Sequence, residues 1–335
     1  MVTIDYITKI IRSHYGMEVI EATKLTVGAG SNTYSVVTDF GKYILKNANI
    51  NEANNPQNEP QLCEYLLAKG LPVSEFVKDV YGNYVFTNEG NMYHMQKFFE
   101  GKSYEWNKAP NWLLSKSAQT LGKIHTALSD YILLPIGIGV NFFKYMTPIT
   151  ALASYEKTYN HARQINDEIS AEDLSFRLEL MKRFCVPDIR LDKLTCKNTH
   201  GDYFISQLIC GENKINAVID WTTACIHPVV WEVIRSYAYA APECRNGDID
   251  IARFLCYVKE YLSFSALTKA DIKLMPYVFY YQISVCDYYN QYYQSTADNR
   301  EIYLHQAVLS TKLMKWFDKN VKDFSEFLIS SLATA

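Results

Sequence analysis

The 335-residue sequence has no long hydrophobic run and almost no excess of charge. No stretch of eighteen apolar residues occurs, so the sequence predicts no transmembrane helix. The N-terminus lacks the basic and apolar regions of a signal peptide. With 33 basic and 36 acidic residues, the net charge of −3 argues against a nucleic-acid-binding protein with a large basic patch. These absences predict a cytoplasmic protein with no nucleic-acid or membrane partner.

The eight cysteines never form Cys-x-x-Cys, the spacing typical of zinc and redox sites. Most lie in apolar stretches, which favours buried free thiols in a reducing compartment over disulfides. The Gly-x-Ser-x-Gly of serine hydrolases is missing, and so is the phosphate loop Gly-x-x-x-x-Gly-Lys-(Ser/Thr). The sequence therefore argues against both of these enzyme classes.

The most informative segment is residues 200–207 (HGDYFISQ), followed by a strand-like run that ends at Asp220. It offers a carboxylate at Asp202, an amide at Gln207 and a second carboxylate at Asp220. Residues 207–220 have apolar runs around a Gly-Glu-Asn-Lys turn, which predicts a β-hairpin that brings the amide and the second carboxylate together. Phosphoryl transfer requires one carboxylate to orient a hydroxyl and oxygen ligands to hold Mg²⁺ against the phosphates. The segment therefore predicts a kinase site.

This segment resembles the His-Gly-Asp-x-x-x-x-Asn loop of the aminoglycoside phosphotransferase and choline kinase group. Residues 219–228 (IDWTTACIHP) resemble the Ile-Asp-(Trp/Phe) segment of the same group. The resemblance implies a catalytic base at Asp202 and Mg²⁺ ligands at Asp220 and Gln207. Gln207 departs from the asparagine of the group by one methylene, although it keeps the carbonyl oxygen that a metal requires.

The resemblance also implies an α+β, protein-kinase-like fold with two lobes. Residues 1–99 are expected to form a nucleotide-binding lobe, a small antiparallel sheet with one helix. Residues 100–335 are expected to form a larger, mostly helical lobe with catalytic and substrate-binding residues. The sequence shows neither a repeat nor a low-complexity linker, so the two parts are expected to be lobes of one catalytic unit.

A kinase of this type needs a glycine-rich hairpin and then a lysine on a strand, both before the catalytic loop. Residues 25–38 are typical of a strand, a tight turn and a second strand, and the glycines of the turn let backbone approach a phosphate. A third strand carries Lys46, which is expected to neutralise the α- and β-phosphates. The nucleotide contacts predicted in the turn are Gly28, Gly30, Ser31 and Asn32.

The required glutamate is predicted on the next helix, residues 58–69. Glu59 lies at helical spacing from three apolar residues and so shares their face. Because an acid on an apolar face needs a partner, the pattern predicts a pair between Glu59 and Lys46. The alternative is a surface glutamate in a first turn, where the helix dipole favours it.

The remaining supporting residues are assigned by the resemblance. The match predicts a hinge that binds adenine through backbone groups at Gln96 to Phe98, although an ordinary edge strand remains an alternative. It implies that His125 supports the catalytic loop and that His200 is structural. Glu232 stands near the place of an aspartate that braces this loop in the group, one residue late and one methylene longer.

The C-terminal region is unusually rich in tyrosine. Tyr281, Tyr288 and Tyr292 are spaced seven and four residues apart, and Asp287 is the only acid within residues 277–293. Tyrosines and one acid can bind a cationic or sugar-like ligand, so Tyr281, Asp287 and Tyr288 are the predicted substrate residues. The alternative is an amphipathic core stripe with hydroxyls that reach the surface.

These features predict a phosphotransferase that uses Mg²⁺ and ATP, or GTP, to phosphorylate a hydroxyl of a small molecule such as an aminoglycoside, an amino alcohol or a sugar. The alternative is a catalytically weak or inactive kinase-like binding or structural protein, as among spore-coat proteins of the group. The presence of Lys46, Glu59, Asp202 and Asp220 favours the enzyme, whereas Gln207 favours the alternative. The sequence does not indicate the oligomeric state.

Overall fold

The computed structural model describes residues 4–25, 32–48, 57–137, 145–187, 189 and 191–332. The chain divides into two compact units, the first formed by residues 1–103 and 207–224 and the second by residues 104–206 and 225–335. In the described part of the chain, no helix combines the length and the apolar character that crossing a membrane requires.

The described residues among the first hundred form two helices and six strands. In chain order they are α1 (Ile4–Tyr15), β1 (Val19–Leu25), β2 (Asn32–Thr38), β3 (Gly41–Ala48), α2 (Asn58–Ala68), β4 (Phe76–Val77), β5 (Val85–Asn88) and β6 (Asn91–Lys97). The strands form one antiparallel sheet in the order β1-β2-β3-β6-β4, and β5 also pairs with β6. Helix α1 was not predicted, and it packs Ile7, Ile10 and Ile11 against the buried side chains of this sheet.

The rest of the chain is mostly helical. Its elements are α3 (Asn111–Ala127), α4 (Pro148–Gln164), α5 (Glu168–Arg183), β7 (Cys196–Thr199), β8 (Leu208–Cys210), β9 (Ile215–Val218), β10 (Cys225–Pro228), α6 (Val229–Ala240), α7 (Ile251–Leu262), α8 (Lys269–Val285), α9 (Tyr288–Gln294) and α10 (Ala297–Leu332). Strands β7 and β10 pair antiparallel, with Thr199 opposite Cys225, and this ladder fixes the backbone that leads into residues 200–207.

The β8–β9 hairpin lies where residues 207–220 predicted it, and it belongs to the first unit. Val218 donates its N–H to the carbonyl of Pro72 at 2.7 Å, while Lys102 and Cys210 exchange two backbone hydrogen bonds of 3.0 and 2.8 Å. Gly101 is required at this contact because a Cβ there would stand 2.5 Å from the Cys210 carbonyl oxygen. These backbone bonds explain why the hairpin joins the first unit, although the expected division grouped it with residues 100–335.

A buried arginine holds the helices of the second unit together. Arg177 on α5 is fully buried and donates to Tyr155 on α4, at 2.9 Å, and to Ser310 and Thr311 on α10, at 2.6 and 3.0 Å. Nη2 also donates to the Ala307 carbonyl at 3.1 Å. One side chain therefore ties three helices through its fixed fork of donors.

Candidate active site

The predicted catalytic loop follows β7 in the second unit. Gly201 has a φ of +82°, a conformation that glycine adopts without a steric penalty, and it turns the chain between His200 and Asp202. The backbone N–H of Asp202 donates to Nδ1 of His200 at 3.2 Å. His200 is fully buried, whereas one third of the Asp202 side chain is exposed. The loop therefore exposes one carboxylate, while its backbone is held in place by buried contacts.

Glu232, in the first turn of α6, provides that support. Its two carboxylate oxygens accept the backbone N–H groups of His200 and Tyr203, each at 3.3 Å. His125 on α3 contacts the same carboxylate through Nε2 at 2.8 Å. Glu232 and His125 are both fully buried. These are the contacts that the roles expected for Glu232, His125 and His200 require, and the roles themselves stay predictions.

A hydrogen-bond chain fixes the protonation of this brace. Burial opposes ionisation of Glu232, but the hydrogen bond from His125 and the electrostatic contributions of the surrounding histidines together outweigh it and hold the pKa of the carboxyl well below its usual range. Burial lowers the pKa of His125, so its ring is neutral. Because a carboxylate only accepts, Nε2 of His125 carries the proton, and Nδ1 lies 2.9 Å from the hydroxyl oxygen of Tyr261. The loop is therefore braced by an ionised acid and a neutral imidazole.

Arg235 is a residue of this site that the sequence analysis missed. It lies on α6 three residues after Glu232, and its Nη2 is 2.7 Å from Oδ1 of Asp202. The only sequence signal was this spacing of three, which puts Arg235 on the same side of the helix as the bracing glutamate. The exposed carboxylate of the loop is thus paired with a buried guanidinium.

The first unit carries the predicted nucleotide-binding cation. Lys46 lies on β3 opposite Thr33, and its Nζ is 2.7 Å from Oδ1 of Asp220. Thr222 donates its hydroxyl to the same oxygen at 3.0 Å. Asp220 has a left-handed backbone, with a φ of +64°, that few residues other than glycine, asparagine and aspartate adopt readily. Residues other than glycine with this backbone conformation are often found at functional sites.

Glu59 lies close to this pair. It is buried on α2, and its Oε1 accepts the backbone N–H of Trp221 at 3.0 Å. Burial raises the pKa of Glu59 to about 7, although the nearby charge of Lys46 lowers it. The expected pairing of Glu59 with Lys46 stays a prediction. The side chain also anchors the turn that follows Asp220.

Gln207 and Asp220 lie at the same end of the hairpin. The carbonyl of Gln207 accepts the N–H of Ile219 at 2.9 Å, directly before Asp220. Among the described residues there is no cluster of three or more His, Cys, Asp or Glu that would hold a metal by itself. One carboxylate and one amide fit Mg²⁺, which commonly takes one or two protein ligands together with substrate phosphates.

The other predicted nucleotide contacts have different surroundings. Gly28, Gly30 and Ser31 lie outside the described residues, and Asn32 begins β2 with an exposed side chain. Gln96 is buried on β6. The N–H of Phe98 donates to the carbonyl of Lys42 at 3.1 Å, so the donor expected for adenine there is already engaged within the sheet.

The predicted substrate residues lie on and beside α8 and α9. Tyr281 donates its hydroxyl to the carbonyl of Met146 at 3.0 Å. The carboxylate of Asp287 accepts from the side-chain amides of Asn290 and Gln291, at 3.2 and 2.9 Å, so it is satisfied within its own helical turn. Tyr288 accepts from the amide of Gln282 at 3.3 Å, and burial raises the pKa of its hydroxyl well above the usual value, although the nearby charge of Arg235 opposes this shift.

His94 is a second residue that the sequence analysis missed. It lies opposite Lys46 in the β3–β6 ladder, is 2% exposed and stacks on Phe76 with ring centroids 5.0 Å apart. Neither ring nitrogen has a hydrogen-bond partner among the described residues. Burial, and then the charge of Lys46, lower the pKa of His94 to about 3. The ring is therefore neutral in the folded protein.

This burial predicts an acid-sensitive fold. In the unfolded chain His94 titrates near 6.5, so the stability that it contributes is complete above pH 6.5 and is lost as the pH falls toward 3. Between pH 6.5 and pH 4, the unfolding free energy of the wild type should fall by about 2–3 kcal/mol more than that of His94→Gln. Urea denaturation at several pH values measures it, with the exposed His161→Gln as a control. If the unfolding free energy of His94→Gln falls as steeply below pH 6.5 as that of the wild type, this account is wrong.

The model of the family described as "Phosphotransferase enzyme family" matches residues 21–263. A homoserine kinase of Methylobacillus flagellatus is 23% identical over 77% of this chain and 75% of its own. A homoserine kinase of Zymomonas mobilis is 22% identical over 64% of this chain, and the match spans 63% of that protein, less than two thirds of its length. The family match confirms the resemblance carried by the loop and hairpin motifs.

Solved structures show the same fold. A microcompartment-associated aminopropanol kinase is similar over 97% of this chain and all of its own, with a TM-score of 0.61 and 14% identity. An amicoumacin kinase in complex with AMP-PNP and Ca²⁺ has a TM-score of 0.61 and 13% identity over 92% of this chain and 93% of its own. A spectinomycin phosphotransferase bound to ADP and spectinomycin has a TM-score of 0.57 and 12% identity over 98% of both chains. At these identities the likeness confirms the predicted fold class alone.

Proposed function

We propose that this chain, which belongs to the phosphotransferase enzyme family, transfers the γ-phosphoryl group of ATP or GTP to a hydroxyl of a small molecule. The observation that carries the proposal is the pair of Lys46 and Asp220 at 2.7 Å, with Glu59 beside it. A lysine paired with one acid and electrostatically attracted to a second is suited to bind phosphate oxygens, since it is pre-positioned and only partly exposed.

Asp202 has the properties of the residue that positions the acceptor. The acceptor oxygen forms a bond to the γ-phosphorus while the bond from that phosphorus to the β–γ bridging oxygen breaks, and the hydroxyl proton passes to Asp202. The products are a phosphate monoester and a nucleoside diphosphate. Asp220 and Gln207 would hold Mg²⁺, which supplies positive charge for the phosphates. Glu232 keeps the backbone of the loop in place during this transfer.

The acceptor class is proposed to be a small alcohol that carries an amino group. Homoserine kinases among the relatives and an aminopropanol kinase among the structural neighbours support this class. An aminoglycoside is less well supported by the site, because Asp287, the only acid of the tyrosine-rich stretch, is already engaged by two amides. No observation favours one of the two nucleotides.

Calorimetric binding of ATP and GTP, with and without Mg²⁺, tests the nucleotide site. We expect Mg²⁺-dependent binding, and Asp220→Ala should weaken it by about 100-fold, because a charged ligand contributes on the order of 3 kcal/mol. Without Mg²⁺ the variant should bind as well as the wild type or better, since Lys46 loses its competing carboxylate.

The control for this experiment is Glu212→Ala, which removes an exposed acid from the turn of the same hairpin and should leave binding unchanged. Equal Mg²⁺-dependent affinity in Asp220→Ala and the wild type would remove Asp220 from the metal site. If the wild type binds neither nucleotide, the chain is a binding or structural member of its family and the proposed activity is wrong.

A further inference from the structure

Arg235 contacts the proposed catalytic carboxylate, that of Asp202, through one of its two terminal nitrogens. Its side chain is 9% exposed, and Nη2 is 2.7 Å from Oδ1 of Asp202. The other terminal nitrogen, Nη1, is buried and has no hydrogen-bond partner among the described residues. Both nitrogens belong to one rigid, planar group, so the unused donors lie next to the carboxylate that is proposed to position the acceptor.

Three aromatic rings hold this guanidinium in place. It lies 4.9 Å from the ring centroid of Phe204, and 5.0 Å from those of Trp231 and Tyr239. Trp106 packs edge-on against Phe204 and Tyr239 and so supports two of the three rings. Rings at these distances attract a cation and replace its water, and they restrict the directions in which it can donate.

A buried charged donor with no acceptor is costly and rare in folded proteins, so Nη1 calls for an acceptor at this position. The nearby acids of the second unit do not supply one. Glu232 accepts from His125 and two backbone N–H groups, and Asp287 accepts from two side-chain amides. An acceptor brought by the substrate would satisfy the donor.

The charge of Arg235 decides which acceptor group fits. A fixed guanidinium beside Asp202 repels a polycation, so it disfavours an aminoglycoside at this position. A carboxylate complements it, because the two groups are planar and form charge-assisted hydrogen bonds. Tyr239 and Tyr288, which are hydrogen-bonded to each other beside Arg235, add hydroxyls for the same ligand.

We propose that Arg235 is a specificity-determining residue that selects acceptor alcohols bearing a carboxylate, such as hydroxy acids and hydroxy amino acids. Nη1 donates to the carboxylate of the acceptor while Asp202 orients its hydroxyl. This inference rests on the proposed phosphotransferase activity and names the substrate class of that site.

Four acceptors that share a three-carbon chain ending in the hydroxyl separate the contributions of carboxylate and amine. Homoserine carries both groups, 4-hydroxybutanoate only the carboxylate, 3-amino-1-propanol only the amine and 1-propanol neither. For the wild-type enzyme with Mg²⁺ and ATP or GTP, we expect kcat/KM for homoserine to exceed that for 3-amino-1-propanol by about 100-fold, mostly through KM. The same ratio should separate 4-hydroxybutanoate from 1-propanol.

Arg235→Gln should reduce both ratios to within about threefold of one, whereas the exposed Arg245→Gln should leave them unchanged. If Arg235 only orients Asp202, the variant lowers kcat for all four acceptors equally and both ratios persist, which would overturn the inference. A wild-type enzyme that prefers the acceptors without a carboxylate would overturn it without any variant.

Different results would contradict the proposed phosphotransferase activity and the proposed role of Arg235. Transfer to 3-amino-1-propanol or to kanamycin, but to neither carboxylate-bearing alcohol, overturns the role of Arg235 and leaves the phosphotransferase proposal intact. Absence of transfer to every acceptor, together with absence of nucleotide binding, overturns both.

Discussion

Asp202→Asn is expected to lower kcat by about 10²–10⁴-fold and to leave nucleotide affinity nearly unchanged, the range that a positioned general base commonly contributes. The amide keeps the size and one oxygen of the carboxylate, but it cannot take the proton of the acceptor. Nucleotide affinity should persist because Lys46, Glu59 and Asp220 are held by contacts within the first unit. Steady-state kinetics and calorimetry on the same preparation measure both quantities.

The variant also removes the anion that faces the buried guanidinium of Arg235, so a loss of stability has to be separated from a loss of chemistry. Thermal unfolding of the same sample provides that separation. Asp248→Asn is the matched control, since it makes the same chemical change to an exposed acid that has no place in the proposed site. A near-normal kcat in Asp202→Asn would remove Asp202 from the mechanism.

Arg177→Met is expected to lower the unfolding free energy by about 3–5 kcal/mol. Methionine keeps most of the apolar stem but removes the donors to Tyr155, Ser310, Thr311 and the Ala307 carbonyl. These groups stay buried when they lose the guanidinium. Urea denaturation followed by circular dichroism measures the change.

The position of Arg177 at the end of α8 adds to this cost. Tyr155, which it contacts, donates to the carbonyls of Ser284 and Cys286 at 2.7 and 2.8 Å, where α8 ends. The negative end of a helix dipole favours a cation, so the charge is stabilised without a carboxylate partner in these contacts.

Arg183→Met on the same helix is the control, because Arg183 is exposed and pairs with Asp318 on the surface, where an ion pair contributes about 1 kcal/mol or less. Equal losses in the two variants would show that the buried hydrogen bonds of Arg177 contribute no more than a surface ion pair.

Local patterns predicted the elements that carry the site. The helix over residues 58–69 and the hairpin over residues 207–220 have the periodicity and turn residues that specify them, and α2 and β8–β9 occupy those positions. Residues 150–185 are amphipathic and fold as the two helices α4 and α5, because Asn166 adopts a φ of +56° and Asp167 caps the second helix. A single left-handed residue does not change hydrophobic periodicity, so the pattern did not mark the break.

Partners of charged residues were harder to predict than their positions. Lys46 was expected to pair with Glu59, and its hydrogen bond to Asp220, 174 residues away along the chain, was not predicted. Arg235 likewise contacts a residue distant in the sequence, Asp202, because α6 packs against residues 200–207. Such contacts depend on tertiary packing, which neither helical spacing nor a motif encodes.

The most direct test of the central proposal is phosphorus NMR of the wild-type protein incubated with ATP or GTP, Mg²⁺ and a mixture of small alcohols. The account predicts a new phosphate monoester resonance that appears together with the nucleoside diphosphate, and no such resonance with Asp202→Asn over the same time. Release of inorganic phosphate without a monoester, or equal monoester formation by both proteins, would contradict a transfer to alcohols positioned by Asp202.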